Sequence, residues 1–197
     1  MSQREDLLEG AKKCLVEKGY SRTTARDIAA ASGAHLASIG YHFGSKDNLM
    51  NTAVIEASSD WGDAFEAAVR GAGGRTPHER FRHLIQSVLA SIPDQTPLLV
   101  ASTQALAQVP FDAEVREQLR VAHEQARVSL AALVLGVAEE DVDAATAAGL
   151  GSVVYGLVCG YVMQAVVDPD SLPTTEQAAA GIMALAGTAA SEDSPAP

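Results

Sequence analysis

The sequence predicts an all-α protein, with an N-terminal three-helix helix-turn-helix head and a six-helix body. Three observations carry that reading. Apolar residues recur at three- and four-residue spacing along most of the chain, and no useful run alternates with the period of two that a half-buried strand needs. Glycine, proline and serine interrupt the pattern where helices should stop. Residues 21–49, SRTTARDIAAASGAHLASIGYHFGSKDNL, fit two short helices about a tight turn and the start of a third.

In chain order, Leu7, Leu8, Ala11, Cys14 and Leu15 share helical spacing, so Cys14 reads as a small core residue. Thr24 can cap the second helix, with Asp27 three residues on making a weaker version of the capping box. Ile28 and Ala29 supply its apolar face, and Ser32-Gly33 ends it because glycine accepts the left-handed backbone that closes a helix. The third helix runs through Leu36 and Ile39 towards Phe43. Gly44-Ser45 breaks it, and Ser45 caps the helix that begins at Lys46. Two short helices about a turn, the second exposing polar groups, form the arrangement that lays one helix in the DNA major groove.

The body continues as helices. One is expected from Asp47 to about Arg70, with Leu49, Met50, Ala53, Val54, Ala57, Trp61, Ala64, Phe65 and Ala68 as its apolar stripe. The glycine-rich loop from Gly71 stops it, and Pro77 suits a first helical turn. The next is expected to reach about Ser91, Ile92-Pro93 breaking it, and another to cover about Asp94 to Gln108. A charged amphipathic helix follows from Phe111 to about Leu135, then an almost uncharged one from Glu139 to Val167. The last spans about Thr174 to Ala189, and a disordered Ser/Pro/acidic tail is expected over 190–197. The implied division is a head over 1–46 and a body over 47–189.

The segment from Gly19 to Lys46 resembles the DNA-binding domain of the tetracycline-repressor (TetR-like) family of bacterial transcription regulators. Gly19-Tyr20, Thr23-Thr24, Ile28-Ala29, Ser32-Gly33 and the run Tyr41-His42-Phe43-Gly44-Ser45-Lys46 carry the resemblance. The family usually has serine where His35 stands and an aromatic where Gly40 stands. The first departure removes the usual cap of the recognition helix, and the second puts a flexible residue inside it. The resemblance implies nine helices and a ligand-responsive dimer, most often a repressor.

Charge agrees once the chain is divided. The whole carries a formal net charge of −11 over 197 residues, which alone argues against nucleic acid. Residues 1–50 hold seven Lys and Arg against six Asp and Glu, and the remainder seven against nineteen. A near-neutral head on an acidic body predicts a small DNA footprint, with the body pointing away from the phosphates. Two cysteines, Cys14 and Cys159, are too few for a disulfide framework, and the polar Met1 to Asp6 stretch opens no signal peptide. A cytoplasmic location is the simplest expectation.

Within the head, Thr24 and Arg26 stand where the N-terminus of the second helix favours a phosphate. Tyr41, His42 and Lys46 suit phosphate contacts at the far end of the reader, while His35, Leu36, Ala37 and Ser38 are expected at base edges. Two readers about one helical turn apart, roughly 34–36 Å, would read a palindromic operator on double-stranded DNA. That requires a homodimer. Ala144 to Val167 contains no charge and is long enough to span a bilayer. Aspartates at both ends and many small residues instead suggest a close-packed helix of a soluble bundle, with no membrane partner. Ser152, Gly156 and Gly160, with Ala178, Ile182 and Leu185 of the final helix, are the expected dimer interface.

A small-molecule effector, largely apolar or amphipathic, is expected between body helices. Its candidate lining is Trp61, Phe65, Phe81, Val88, Thr103, Gln104, Tyr155 and Met163, and buried amides such as Gln104 or Gln164 would need partners. Control by a protein partner without such a ligand is the alternative. A helical enzyme is the less favoured third reading. His78 and His83 are spread over different helix faces, the glycine loop lacks the features of a phosphate loop, and Glu139 to Asp143 resembles a charged helix start rather than a calcium site. Neither metal, cofactor nor catalytic residue is expected.

Overall fold

Local capping chemistry sets where the helices begin in the computed structural model, which describes residues 2–189. The helices are α1 (Gln3–Lys18), α2 (Ala25–Ser32), α3 (Ala37–Phe43) and α4 (Lys46–Ala72). They continue with α5 (Pro77–Leu106), α6 (Ala113–Leu135), α7 (Ala144–Val167) and α8 (Thr175–Ala189). Among the described residues there is no strand. Reciprocal capping boxes pair Ser2 with Glu5, Thr24 with Asp27 and Thr76 with Glu79. Ser45 opens α4 by accepting the Asn48 N–H at 3.0 Å, as its sequence position suggests.

Among the described residues the head contributes the three expected helices, but the body contributes five rather than six. Two predicted helices are one, because α5 runs unbroken through Pro93 and Pro97. Each proline removes one intrahelical N–H bond. Thr96 Oγ1 donates to the Pro93 carbonyl at 3.2 Å, compensating the bond lost at Pro97. Ile92, Leu98, Leu99 and Ala101, all buried, hold the helix on both sides of the interruption. The penultimate helix also starts later than expected. Asp143 caps it by accepting the Thr146 N–H at 2.7 Å, and Glu139–Asp141 forms a separate short turn.

Two apolar cores share the long helices. The first joins Leu7, Leu15, Ile28 and Ile39 to Leu49, Met50 and Val54 of α4 and to Leu98, Ala101 and Ala105 of α5. The second joins Val69, Leu84, Val88 and Ile92 to Leu130 and Leu133 of α6, Val154, Val158 and Tyr161 of α7, and Ala178 of α8. Trp61 packs against both. α4 passes through the head core into the body, so the division expected at residue 46 falls at the start of a helix that both cores share.

Polar contacts fix the junction. Tyr20 Oη donates to Asn51 Oδ1 at 2.7 Å, and burial pushes the Tyr20 phenol up to about 12, with the carboxylates of Asp47 and Asp112 acting in the same direction. Lys12 reaches Asp60 at 2.9 Å and Glu9 and Glu56 at 3.4 Å, tying α1 to α4. The close passage of α1 over α2 needs Gly10, where a Cβ would stand 2.8 Å from that of Ser32. The tail expected over 190–197, and the side chain of Leu185, lie outside the described residues.

Candidate nucleic-acid interface

The candidate interface begins at the α2 cap. Thr24 Oγ1 accepts the Asp27 N–H at 3.2 Å, while Asp27 Oδ2 accepts from the Thr24 N–H at 2.9 Å and its hydroxyl at 2.7 Å. Lys18 holds the other Asp27 oxygen at 2.5 Å. The Lys18 ammonium and the Thr24 donors keep the Asp27 carboxyl well below the usual range. This built-in anion already uses part of the cap that was expected to favour a phosphate. Arg26, exposed beside it, remains available.

α3 starts without a side-chain cap, as the histidine at position 35 implies. The His35 carbonyl accepts the Ser38 N–H at 2.9 Å, and the Leu36 carbonyl accepts that of Ile39 at 3.3 Å. Ile39 is buried and anchors the helix, leaving His35, Leu36, Ala37, Gly40 and Tyr41 exposed. Ser38 corrects the expected reading set. It is only 9% exposed, because the face that buries Ile39 in so short a helix carries Ser38 inward with it. A Cβ at Gly40 would meet nothing within 4 Å, so packing does not demand this glycine.

Tyr41 is 85% exposed and does not stack on the head core. Its ring meets His42 edge-on at 4.8 Å, and His42 Nε2 lies 3.4 Å from Gln3 Oε1. Lys46 Nζ sits 2.7 Å from Asp47 and 5.6 Å from the Tyr20 ring centre, so a phosphate would have to compete with a carboxylate. Sequence spacing missed Arg4. Its guanidinium lies over Phe43 at 5.1 Å, adding a cation to this edge through a contact made only when α1 folds over α3.

This head on an all-helical body agrees with comparisons to known proteins. The family described as "Bacterial regulatory proteins, tetR family" matches residues 7–53, and that described as "BetI-type transcriptional repressor, C-terminal" matches residues 77–188, more than half of the chain. The chain belongs to the TetR family of bacterial regulatory proteins. It is 42% identical over 48 residues to the HTH-type transcriptional repressor AcnR of Corynebacterium glutamicum, covering 24% of this chain and 26% of AcnR. The chain thus spans about a quarter of that curated relative. Similar solved folds include a protein of Rhodococcus sp. RHA1 with TM-score 0.72 and 21% identity, covering 93% of this chain and 94% of that one. A TetR transcription regulator from Haloarcula marismortui gives TM-score 0.65 at 23% identity, covering 91% and 95% respectively.

In this TetR-family body the expected effector lining is only partly assembled. Trp61, Phe65, Phe81, Val88 and Tyr155 belong to the second core cluster or pack against it. Trp61 and Phe65 meet edge-on at 5.6 Å, and the Trp61 indole donates to Ser91 at 2.9 Å. Val88 is fully buried within that cluster. Met163 and Gln164 are exposed on α7 and leave the expected interior, while Thr103 donates to the Leu99 carbonyl at 3.0 Å. Gln104 faces elsewhere, lining a cleft against the head.

The expected dimer surface divides similarly. Gly149, Val153, Gly156, Met163 and Val167 are exposed, and with half-buried Gly160 they form a three-four stripe along α7; Ser152 flanks it, half-buried. Ala178 is a correction because its side chain belongs to the body core at 6% exposure. On α8, Ile182 is half-buried, while Ala180, Gly181, Met183 and Ala184 are exposed.

Proposed function

We propose that this TetR-family chain is a dimeric transcriptional repressor that binds a palindromic operator and releases it when a small amphipathic effector binds. The carrying observation is the surface of α3, where buried Ile39 anchors a helix that leaves His35, Leu36, Ala37 and Tyr41 exposed. Cations can approach phosphates at the edges, from Arg26 beside α2 and from Arg4 and Lys46 beyond the end of α3. A cytoplasmic setting accords with this role.

Dimerisation through α7 and α8 gives each operator half-site one head. The stripe of Gly149, Val153, Gly156, Gly160, Met163 and Val167 keeps the alternating three-four spacing of a helix seam, and its glycines permit close backbone approach. Because α4 belongs to both cores, a ligand-dependent tilt of α4 or α5 would alter the separation of the paired heads. Effector and operator would then weaken each other by the same factor, commonly about 1–3 kcal/mol.

The test is selection of bound duplexes from a random pool with purified protein at defined salt. Enrichment of a palindrome with half-sites about one helical turn apart is expected. An intact dimer that enriches no duplex would overturn the operator reading.

A further inference from the structure

A cleft of about 330 Å³ separates the end of α1 and its following turn from the second half of α5. None of the expected operator-reading residues line it, and neither do the residues of the second core. Val16 and Val100, 66% and 38% exposed, present apolar surface to it alongside Tyr20 and Pro97. Among the described residues no Asp or Glu lines the cleft, whereas Lys18 and Arg22 do. Asp27 pairs with Lys18. Arg22 Nε donates to the Lys18 carbonyl at 2.8 Å, and among the described residues no carboxylate pairs with its guanidinium.

Gln104 supplies an independent polar observation. Its Oε1 is sealed from solvent and, among the described residues, has no hydrogen-bond donor. A buried acceptor without a partner is costly, and turning the terminal amide would let a donor in the cleft satisfy it. The cleft thus combines apolar surface and a cationic rim with a wall residue, Gln104, whose sealed acceptor gains a partner only if its amide turns, at the junction that sets the position of the head.

We propose that this cleft binds a compact amphipathic organic acid, its apolar body between Val16 and Val100, its carboxylate beside Arg22 and a hydrogen-bond donor towards Gln104. A molecule seated there bridges α1 and α5 and fixes the angle of the head on the body. This deepens the proposed function by giving the effector a chemical class and a site outside the body core. Its effect on operator affinity rests on that reading, whereas binding in the cleft can be tested without DNA.

The test is calorimetric titration of the full chain with indole-3-propionate, 3-(4-hydroxyphenyl)propionate and 6-hydroxynaphthalene-2-acetate, acids that each carry an N–H or O–H donor on an apolar body. At least one carboxylate should saturate one site per chain below about 1 mM, with Val100→Trp and Arg22→Gln each weakening it about tenfold. Both side chains are solvent-accessible, so matching melting curves should accompany the lost affinity. Failure of all three acids to saturate, or wild-type affinity in both variants, overturns the cleft assignment. If a selected operator exists, the same acid should change duplex affinity, and duplex should change acid affinity by the same factor. Cleft binding without an enriched operator would overturn the operator reading while leaving the binding site; an enriched operator with no cleft binding would do the reverse.

Discussion

Arg80 shows how much one side chain can organise. Its Nε donates to the Val134 carbonyl at 2.9 Å, Nη1 to Gly74 at 2.9 Å and Nη2 to Leu135 at 2.5 Å. The guanidinium therefore joins the start of α5 to the C-terminal carbonyls of α6. Gly136 makes room for it at φ +73°, where a Cβ would stand 2.6 Å from Arg80 Cζ. Gly136→Ala should destabilise the protein by about 2–3 kcal/mol through left-handed strain and displacement of Arg80. Gly73→Ala, at φ +71° but with open space around the added Cβ, should cost about 1 kcal/mol. Urea midpoints for the two variants separate strain from crowding.

His123 offers a pH prediction. Burial, assisted by the nearby Arg127 charge, lowers its pKa from 6.5, and its ring lies 5.1 Å from Tyr155. The unfolded chain therefore takes up the proton more readily than the folded one. This contribution is fully present above the unfolded value of about pH 6.5 and is lost as pH falls from there through the lower folded value. Melting temperatures between about pH 7.5 and 5.5 should decline less in His123→Gln than in the wild type. An equal decline would remove His123 from the cause.

The DNA-facing residues should also separate by experiment. Tyr41→Phe and Lys46→Ala should weaken binding across all duplexes, with Lys46→Ala reducing the salt slope by about one. His35→Ala should change preference at particular base pairs, while inward-facing Ser38→Ala should leave preference intact. Competition between duplexes of different sequence reads the distinction.

At the scale of helices, α7 presents two faces. Val154, Val158, Tyr161 and Ala165 enter the body core, while the opposite stripe includes Val153 and Val167 at 63% and 82% exposure. Val153→Asp should leave helix content near the wild-type value but dissociate the proposed dimer, as measured by analytical ultracentrifugation. An unchanged association constant would place the interface elsewhere. α7 was readable as a long apolar helix from its lack of charge, but its inward register depended on packing. The continuity of α5 was less readable, because proline spacing reports lost backbone bonds and not the buried contacts that compensate for them.

At the scale of the molecule, the shared passage of α4 through both cores makes the head-body junction mechanically important. Lys12 lies between Glu9, Glu56 and Asp60, and its side chain is 19% exposed. Lys12→Met should leave three solvated carboxylates unpaired, costing about 1 kcal/mol or less and loosening α1 on α4. Hydrogen exchange should quicken in α1 before the body core. Uniform exchange across both regions would show that this cluster does not govern the junction.

The sequence alone determined the helical class, the helix-turn-helix head and most helix starts, because these depend on residue spacing and caps formed over a few positions. It also located the strongest family resemblance. Tertiary structure decided that α5 is continuous, that Ser38 and Ala178 turn inward, and that Arg4 joins the far edge of α3. It also brought Val16, Arg22 and Gln104 to one cleft. Those outcomes depend on which helix faces meet and which backbone groups find partners across distant segments, information that local periodicity does not contain.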